Sequence, residues 1–289
     1  MSVNLTYVYE QVCSGTCTFK DNADSQGRFL EEESTSEMFE VMAELECGSG
    51  GGWSISHDLS DLTGPCNIER RNVGTLSQLE FLEKFSETRP VILEGVPPQT
   101  RFKRASTKWR LLADYGPDLI TVATANTHSY TKTQMTLCDY VSHHVRPQSP
   151  HALGNETFYH FGDNDRERWS PLFSLYQLPP YTLPGMEPVL SFGLAGPGTG
   201  VPFHIHGPTF AETIFGRKRW FLYPPDESPE FDPDESTLRW VTHTLPSLPA
   251  HLTPLQCTLS PGEVLYFPER WWHATLNVDS TVFMSTFLA

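Results

Sequence analysis

Residues 189–223 read VLSFGLAGPGTGVPFHIHGPTFAETIFGRKRWFLY, and the texture of this stretch decides the fold class. Short apolar and β-branched runs are cut by turns bearing glycine or proline, the mark of short strands rather than alternating strands and helices. Strands are expected at 189–194, 201–206, 211–215 and 219–223. The same texture continues at 256–259, 264–267 and 282–287. With 24 prolines, 20 glycines and 12% aromatic residues, the chain has many turns and the ring content of a tightly packed β interior. A β-sandwich or barrel follows.

The same stretch carries the chemistry. Side chains alternate along a strand, so His204 and His206 project from one face. A third histidine, His273, follows Trp271 and Trp272, bulky walls for a ligand at the next position. Three such imidazoles suit zinc, iron or copper. An oxygen-activating non-haem iron centre normally uses two histidines and a carboxylate, and His206 stands where the carboxylate belongs. A three-imidazole set keeps extra positive charge on the metal and is acid-sensitive, because each ring must be unprotonated to bind. On the strand 217–223, Lys218, Trp220 and Leu222 share a face. A lysine inside an apolar barrel needs an anionic partner, either a substrate carboxylate or a structural one such as Glu212 or Glu263.

Composition excludes other classes. The formal net charge of −15 opposes a phosphate backbone, so nucleic acid is not a partner. No run reaches the length of a membrane span. Residues 1–17 lack a basic start and an apolar core, which alone predicts a cytoplasmic chain. Residues 1–65 are acidic, with a short amphipathic helix at 38–45 and a glycine run at 48–52, and read as a disordered extension with a flexible linker. The folded domain is expected over 66–289, with helices at 75–85 and 107–115 and strands at 90–95 and 120–123. Of six cysteines, Cys13 and Cys17 lack the second half of a zinc site. A Cys66–Cys257 bridge would tie the ends of the domain together in an oxidising compartment. Asn4 and Asn155 head glycosylation tripeptides. The glycine-rich 193–200 segment lacks the context of a phosphate loop, and His128, His143 and His144 show no partners.

Taken together, segments 196–206 (GPGTGVPFHIH), 215–225 (FGRKRWFLYPP) and 262–277 (GEVLYFPERWWHATLN) resemble the JmjC family. Weaker similarity runs through 89–93 and 153–164, so the resemblance covers roughly residues 67–289. It implies a mainly β, cupin-like double-stranded β-helix (jelly-roll) with a few flanking α-helices. It also implies Fe(II) and 2-oxoglutarate as cofactors, His204 and His273 as retained metal ligands, and Lys218 with Asn277 in the co-substrate pocket. His206 replaces the family's acidic ligand, and Val201 replaces a threonine that helps bind 2-oxoglutarate in many small members. The valine removes a hydrogen bond worth roughly 1–3 kcal/mol in a closed pocket. Relatives in this subgroup reside in the endoplasmic reticulum lumen, which agrees with glycosylation at Asn155 and with a Cys66–Cys257 disulfide. The expectation is a non-catalytic regulatory protein that binds other proteins and holds Fe(II) or another divalent metal on His204, His206 and His273. The alternative is a 2-oxoglutarate-dependent protein hydroxylase with an atypical three-histidine site; histone demethylation fits poorly with the acidic charge.

Overall fold

The computed structural model describes residues 50–289. The chain folds into twelve strands: β1 (Arg70–Asn72), β2 (Val91–Glu94), β3 (Leu119–Thr124), β4 (Lys132–Thr136), β5 (Phe158–Phe161), β6 (Pro188–Ala195), β7 (Thr209–Phe215), β8 (Lys218–Tyr223), β9 (Leu255–Leu259), β10 (Val264–Phe267), β11 (Trp272–Asn277) and β12 (Thr281–Leu288). Nine form one sheet in the order β1-β2-β10-β7-β12-β6-β5-β3-β4, and a smaller sheet runs β11-β8-β9. The fold is mainly β with a few helices, as the turn-rich texture predicts, and cupin-like, as the resemblance implies.

Strands β2, β3, β6, β7, β8, β9, β10 and β12 lie where the apolar runs place them, to within two residues at each end, whereas β1, β4, β5 and β11 are additional. Helix Gln78–Lys84 begins at Ser77, whose hydroxyl accepts from the Glu80 amide, and helix Lys108–Tyr115 follows Thr107. Period-two alternation in β8 is realised. Lys218 and Trp220 face the space between the sheets, whereas Phe221 and Tyr223 pack with Phe203, Leu238 and Trp240 on the other side. The chain passes from β7 in one sheet to β8 in the other at Gly216 (φ 76°), where a Cβ would meet the Ser280 carbonyl at 2.3 Å.

Two expectations are corrected. Residues 201–206 form no named strand; a single bridge pairs His204 with His273, by amide-to-carbonyl contacts of 3.1 and 3.0 Å. Pro202 lacks the amide that a regular ladder needs. Farther along, Thr275 donates to the Val201 carbonyl and Arg270 to that of His206. The segment thus lies irregularly beside β11, whose first two residues are Trp272 and His273. Secondly, residues 50–65 belong to the folded body rather than to an extension. Trp53 is 5% exposed and its indole N–H donates to the Ser106 carbonyl at 3.0 Å. The Ser56 amide donates to Asp279, whose carboxylate also accepts from Nε and Nη2 of Arg217, at 2.7 and 2.9 Å. Glycines at 50–52 form a tight turn whose conformation suits only glycine, packed on Phe215, so composition alone mistakes it for a linker. The helix expected at 38–45, Asn4, Cys13 and Cys17 fall outside the described residues.

Cys66 and Cys257 are joined by a disulfide across 191 positions, stitching the segment just before β1 to β9. Cys138 is also disulfide-bonded.

Candidate metal and carboxylate site

Between the two sheets lies a cavity of about 200 Å³, and three imidazoles close one part of it. His204 and His206 come from the irregular segment after Val201, and His273 comes from β11. Their candidate ligand atoms all lie within 4.8 Å of one another, and no other group of this kind occurs among the described residues. Each ring is held by its second nitrogen. His204 Nδ1 contacts the Pro202 carbonyl at 2.9 Å, His206 Nδ1 that of Gly207 at 2.8 Å, and His273 Nδ1 that of Trp271 at 2.9 Å. A carbonyl oxygen can only accept, so every Nδ1 carries the proton and every Nε2 presents a lone pair.

The consequence is specific. His206 Nε2 and His273 Nε2 are 2.9 Å apart, yet neither neutral ring has a proton to put between them. Two facing lone pairs repel unless a cation joins them. Burial pushes the His204 imidazole down to about 4, helped by the neighbouring His206 and Lys218, and it lowers His206 as well. Burial, then the two other rings, hold His273 well below the ordinary histidine range. Protonation is therefore opposed at neutral pH, and the donor set fits a divalent metal. Phe267 and Phe287 pack on His206 at 5.5 and 4.9 Å between ring centroids, limiting water on that side.

Lys218 sits in the same cavity, 4% exposed. Its ammonium donates to Asn277 Oδ1 at 3.0 Å and lies 3.9 Å from the Phe283 ring centroid. Among the described residues no carboxylate pairs with it. The two glutamates considered as partners are engaged elsewhere: Glu212 accepts from Tyr176 and Gln99, and Glu263 pairs with Arg70. With no counter-charge, burial pushes the lysine down to about 7. No aspartate or glutamate among the described residues lines the cavity. Asn277 has both ends of its amide in use, since Nδ2 donates to the Thr199 carbonyl at 2.6 Å. It orients Lys218.

Val201 lines the cavity and offers no hydroxyl there. Thr199, Tyr159, Thr275 and Phe283 also line it, and none of the four stands out by sequence, because their roles arise from contacts far apart in the chain. Asn155 is exposed on a short turn at Gly154–Glu156, while Thr157 of the same tripeptide is 3% exposed with its hydroxyl on the Gly154 carbonyl. His143 and His144 lie at the end of helix Leu137–His143, and His128 stacks near Tyr130; none of them joins the cluster.

A family profile described as a cupin-like domain matches residues 206–287. JmjC domain-containing protein 8 of Homo sapiens is 51% identical over 223 residues, covering 77% of this chain and 84% of that protein. Its counterpart in Rattus norvegicus is 46% identical over 252 residues, 86% of this chain and 93% of its own length. The 2-oxoglutarate and iron-dependent oxygenase JMJD4 of Mus musculus is 30% identical over 103 residues, 32% of this chain and 24% of that one. Among solved structures, the ribosomal oxygenase YcfD from Escherichia coli, with cobalt and 2-oxoglutarate, aligns over 74% of this chain and 52% of its own at 19% identity and a TM-score of 0.43.

Proposed function

Because the chain belongs to the JmjC family, in the group of JmjC domain-containing protein 8, we propose that it is a non-catalytic regulatory member. In this reading it holds a divalent metal on His204, His206 and His273 and a small dicarboxylate of the 2-oxoglutarate type at Lys218, and it acts by binding other proteins in the endoplasmic reticulum lumen. One observation carries the reading: three neutral imidazoles converge by their Nε2 atoms in a cavity that no carboxylate of the described residues lines. A bound divalent metal would supply Lewis-acid character and an anchor for an oxygen ligand. The chain's own groups oppose oxidation at that point. Neutral ligands offset none of the metal's charge, and the Lys218 ammonium adds to it in a poorly solvated space, so any further positive charge is disfavoured. Lys218, aligned by Asn277, attracts an anion, while Phe267, Phe287 and Trp220 keep water away.

The Cys66–Cys257 disulfide, the further disulfide at Cys138 and the exposed Asn155 support the lumenal assignment. The acidic charge makes proteins rather than nucleic acids the partners. A second reading, a 2-oxoglutarate-dependent protein hydroxylase, is favoured by Lys218 alone, a buried cation with no carboxylate partner among the described residues.

The test measures metal content of the purified protein, 2-oxoglutarate binding under anaerobic conditions with added Fe(II), and succinate release in air. Stoichiometric metal and 2-oxoglutarate binding with no succinate above the metal-only background is expected. Succinate release that depends on the protein would replace this reading with the hydroxylase. Absence of bound metal would sink the three-histidine centre itself. A glycosidase-sensitive mobility shift abolished by Asn155→Gln checks the compartment; no shift in secretory-pathway expression counts against it.

A further inference from the structure

The Cys66–Cys257 disulfide has two unlike ends. Cys66 is exposed in the segment before β1, whereas Cys257 is 0% exposed and packs among Ile68, Trp220, Leu259 and Phe267. A thiolate arriving from solvent therefore meets the Cys66 sulfur and not that of Cys257. Access of this kind decides which sulfur is attacked.

The buried end has a neighbour that a purely structural staple does not need. Nη2 of Arg70 lies 3.4 Å from Cys257 Sγ, while Nη1 of the same guanidinium donates to Glu94 at 2.7 Å and to Glu263. A disulfide sulfur is neutral and accepts only weakly, so this contact contributes little in the oxidised state. A Cys257 thiolate would instead take a charge-assisted hydrogen bond there, and a guanidinium beside a cysteine lowers its thiol pKa. The same guanidinium pairs with the two carboxylates that would otherwise oppose that charge. An accessible sulfur to attack and a stabilised thiolate to leave are the two requirements of fast exchange.

We propose that Cys66–Cys257 is a thiol–disulfide exchange site for a small thiol of the glutathione class, with Arg70 stabilising the departing Cys257 thiolate. In the first step the incoming thiolate attacks Cys66 Sγ. A mixed disulfide forms on Cys66, the bond to Cys257 breaks, and its electron pair leaves on Cys257 Sγ. In the second step another thiolate attacks the small thiol's own sulfur, and Cys66 departs as a thiolate. Two thiols are thereby oxidised to one disulfide, and the two electrons and two protons they lose end on Cys66 and Cys257. Cys257 faces Trp220 across the β8–β9 ladder, and Trp220 lines the central cavity. Exchange therefore unties the strand that flanks a wall of that cavity.

The folded full chain is incubated with reduced glutathione, quenched with acid, alkylated and mapped by peptide mass spectrometry, as wild type, Arg70→Met and Arg70→Lys. Near-ultraviolet circular dichroism is followed on the same samples. In wild type a glutathione adduct is expected on Cys66 and none on Cys257, with the dichroism retained as the adduct forms. Arg70→Met should open roughly 3- to 10-fold more slowly, because about half of a charged hydrogen bond is expressed while the leaving sulfur carries partial charge. Arg70→Lys keeps a cation and should fall between the two. An adduct on Cys257 overturns the proposal, as does a wild-type bond that glutathione opens only when the dichroism is lost or not at all; the disulfide is then a staple alone. Opening of Arg70→Met as fast as wild type or faster overturns it as well.

Discussion

Replacing Lys218 with methionine should make the ligand-free protein more stable while abolishing carboxylate binding. Burial moves the lysine from 10.5 to about 7, so keeping the ammonium charged inside the fold opposes folding by roughly 4–5 kcal/mol near neutral pH. Two local gains partly offset this. The hydrogen bond to Asn277 Oδ1, left without a donor in the variant, accounts for about 1–3 kcal/mol. The contact with the Phe283 ring contributes about 1–2 kcal/mol. The balance favours Lys218→Met by about 1 kcal/mol or slightly more, a rise in melting temperature of roughly 2–4 °C for a domain of this size. Its pH dependence has a definite sign. Between about 7 and 10.5 the unfolded chain holds the lysine proton more readily than the folded one, so wild-type stability climbs with pH across that window. The variant has no such gain, so its advantage is largest at and below neutral pH and fades towards pH 10. Thermal melts of ligand-free wild type and variant from pH 6.5 to 10 measure this directly. A variant that melts below wild type at pH 7 would refute the reasoning, because the lysine would then be a structural member of the core.

Three other outcomes are expected. His206→Asp restores a carboxylate to the ligand set and should raise Fe(II) affinity, read by competition with a chelator; a fall would mean that ligand charge does not limit iron retention here. Glu212→Gln should leave the melting temperature nearly unchanged at pH 5 and raise it at pH 8, because burial lifts this carboxyl to about 7 and its ionisation removes stability as pH climbs from 4.5 through 7; a pH-independent difference would contradict that. Cys66→Ser opens a closure of 191 positions and should lower stability by roughly 2–5 kcal/mol in urea unfolding, with an unchanged midpoint as the contrary result.

Much of this architecture can be read from local pattern. Strands β7, β8 and β10 announce themselves by apolar or alternating runs bounded by glycine or proline, β12 by its apolar run alone, and the Ser77 cap marks its helix. The alternation in β8 also places Lys218 and Trp220 together on the cavity side. What escapes is whatever depends on distant contacts. The bridge beside β11 looks like an ordinary strand from 201 to 206 by its alternation, and Pro202, which has no amide to donate, is the local sign that its ladder is interrupted. The glycines at 50–52 have the composition of a linker, but Phe215, far along the chain, gives that turn its packing. Glu212 is a sensible partner for Lys218 by sequence, yet Tyr176 and Gln99 claim it.

The order of strands has a consequence for how the protein is made. Strand β2 lies between β1 and β10, with Leu93 paired to Val264. During synthesis β2 emerges long before β10 exists, and at about 5–20 residues per second the wait is on the order of ten to thirty seconds. Throughout it, the apolar run Val91-Ile92-Leu93 has an open edge. The nascent chain must be shielded at that strand until the ribosome has nearly finished, so defects in late residues of β10 should be felt first as aggregation of an early segment.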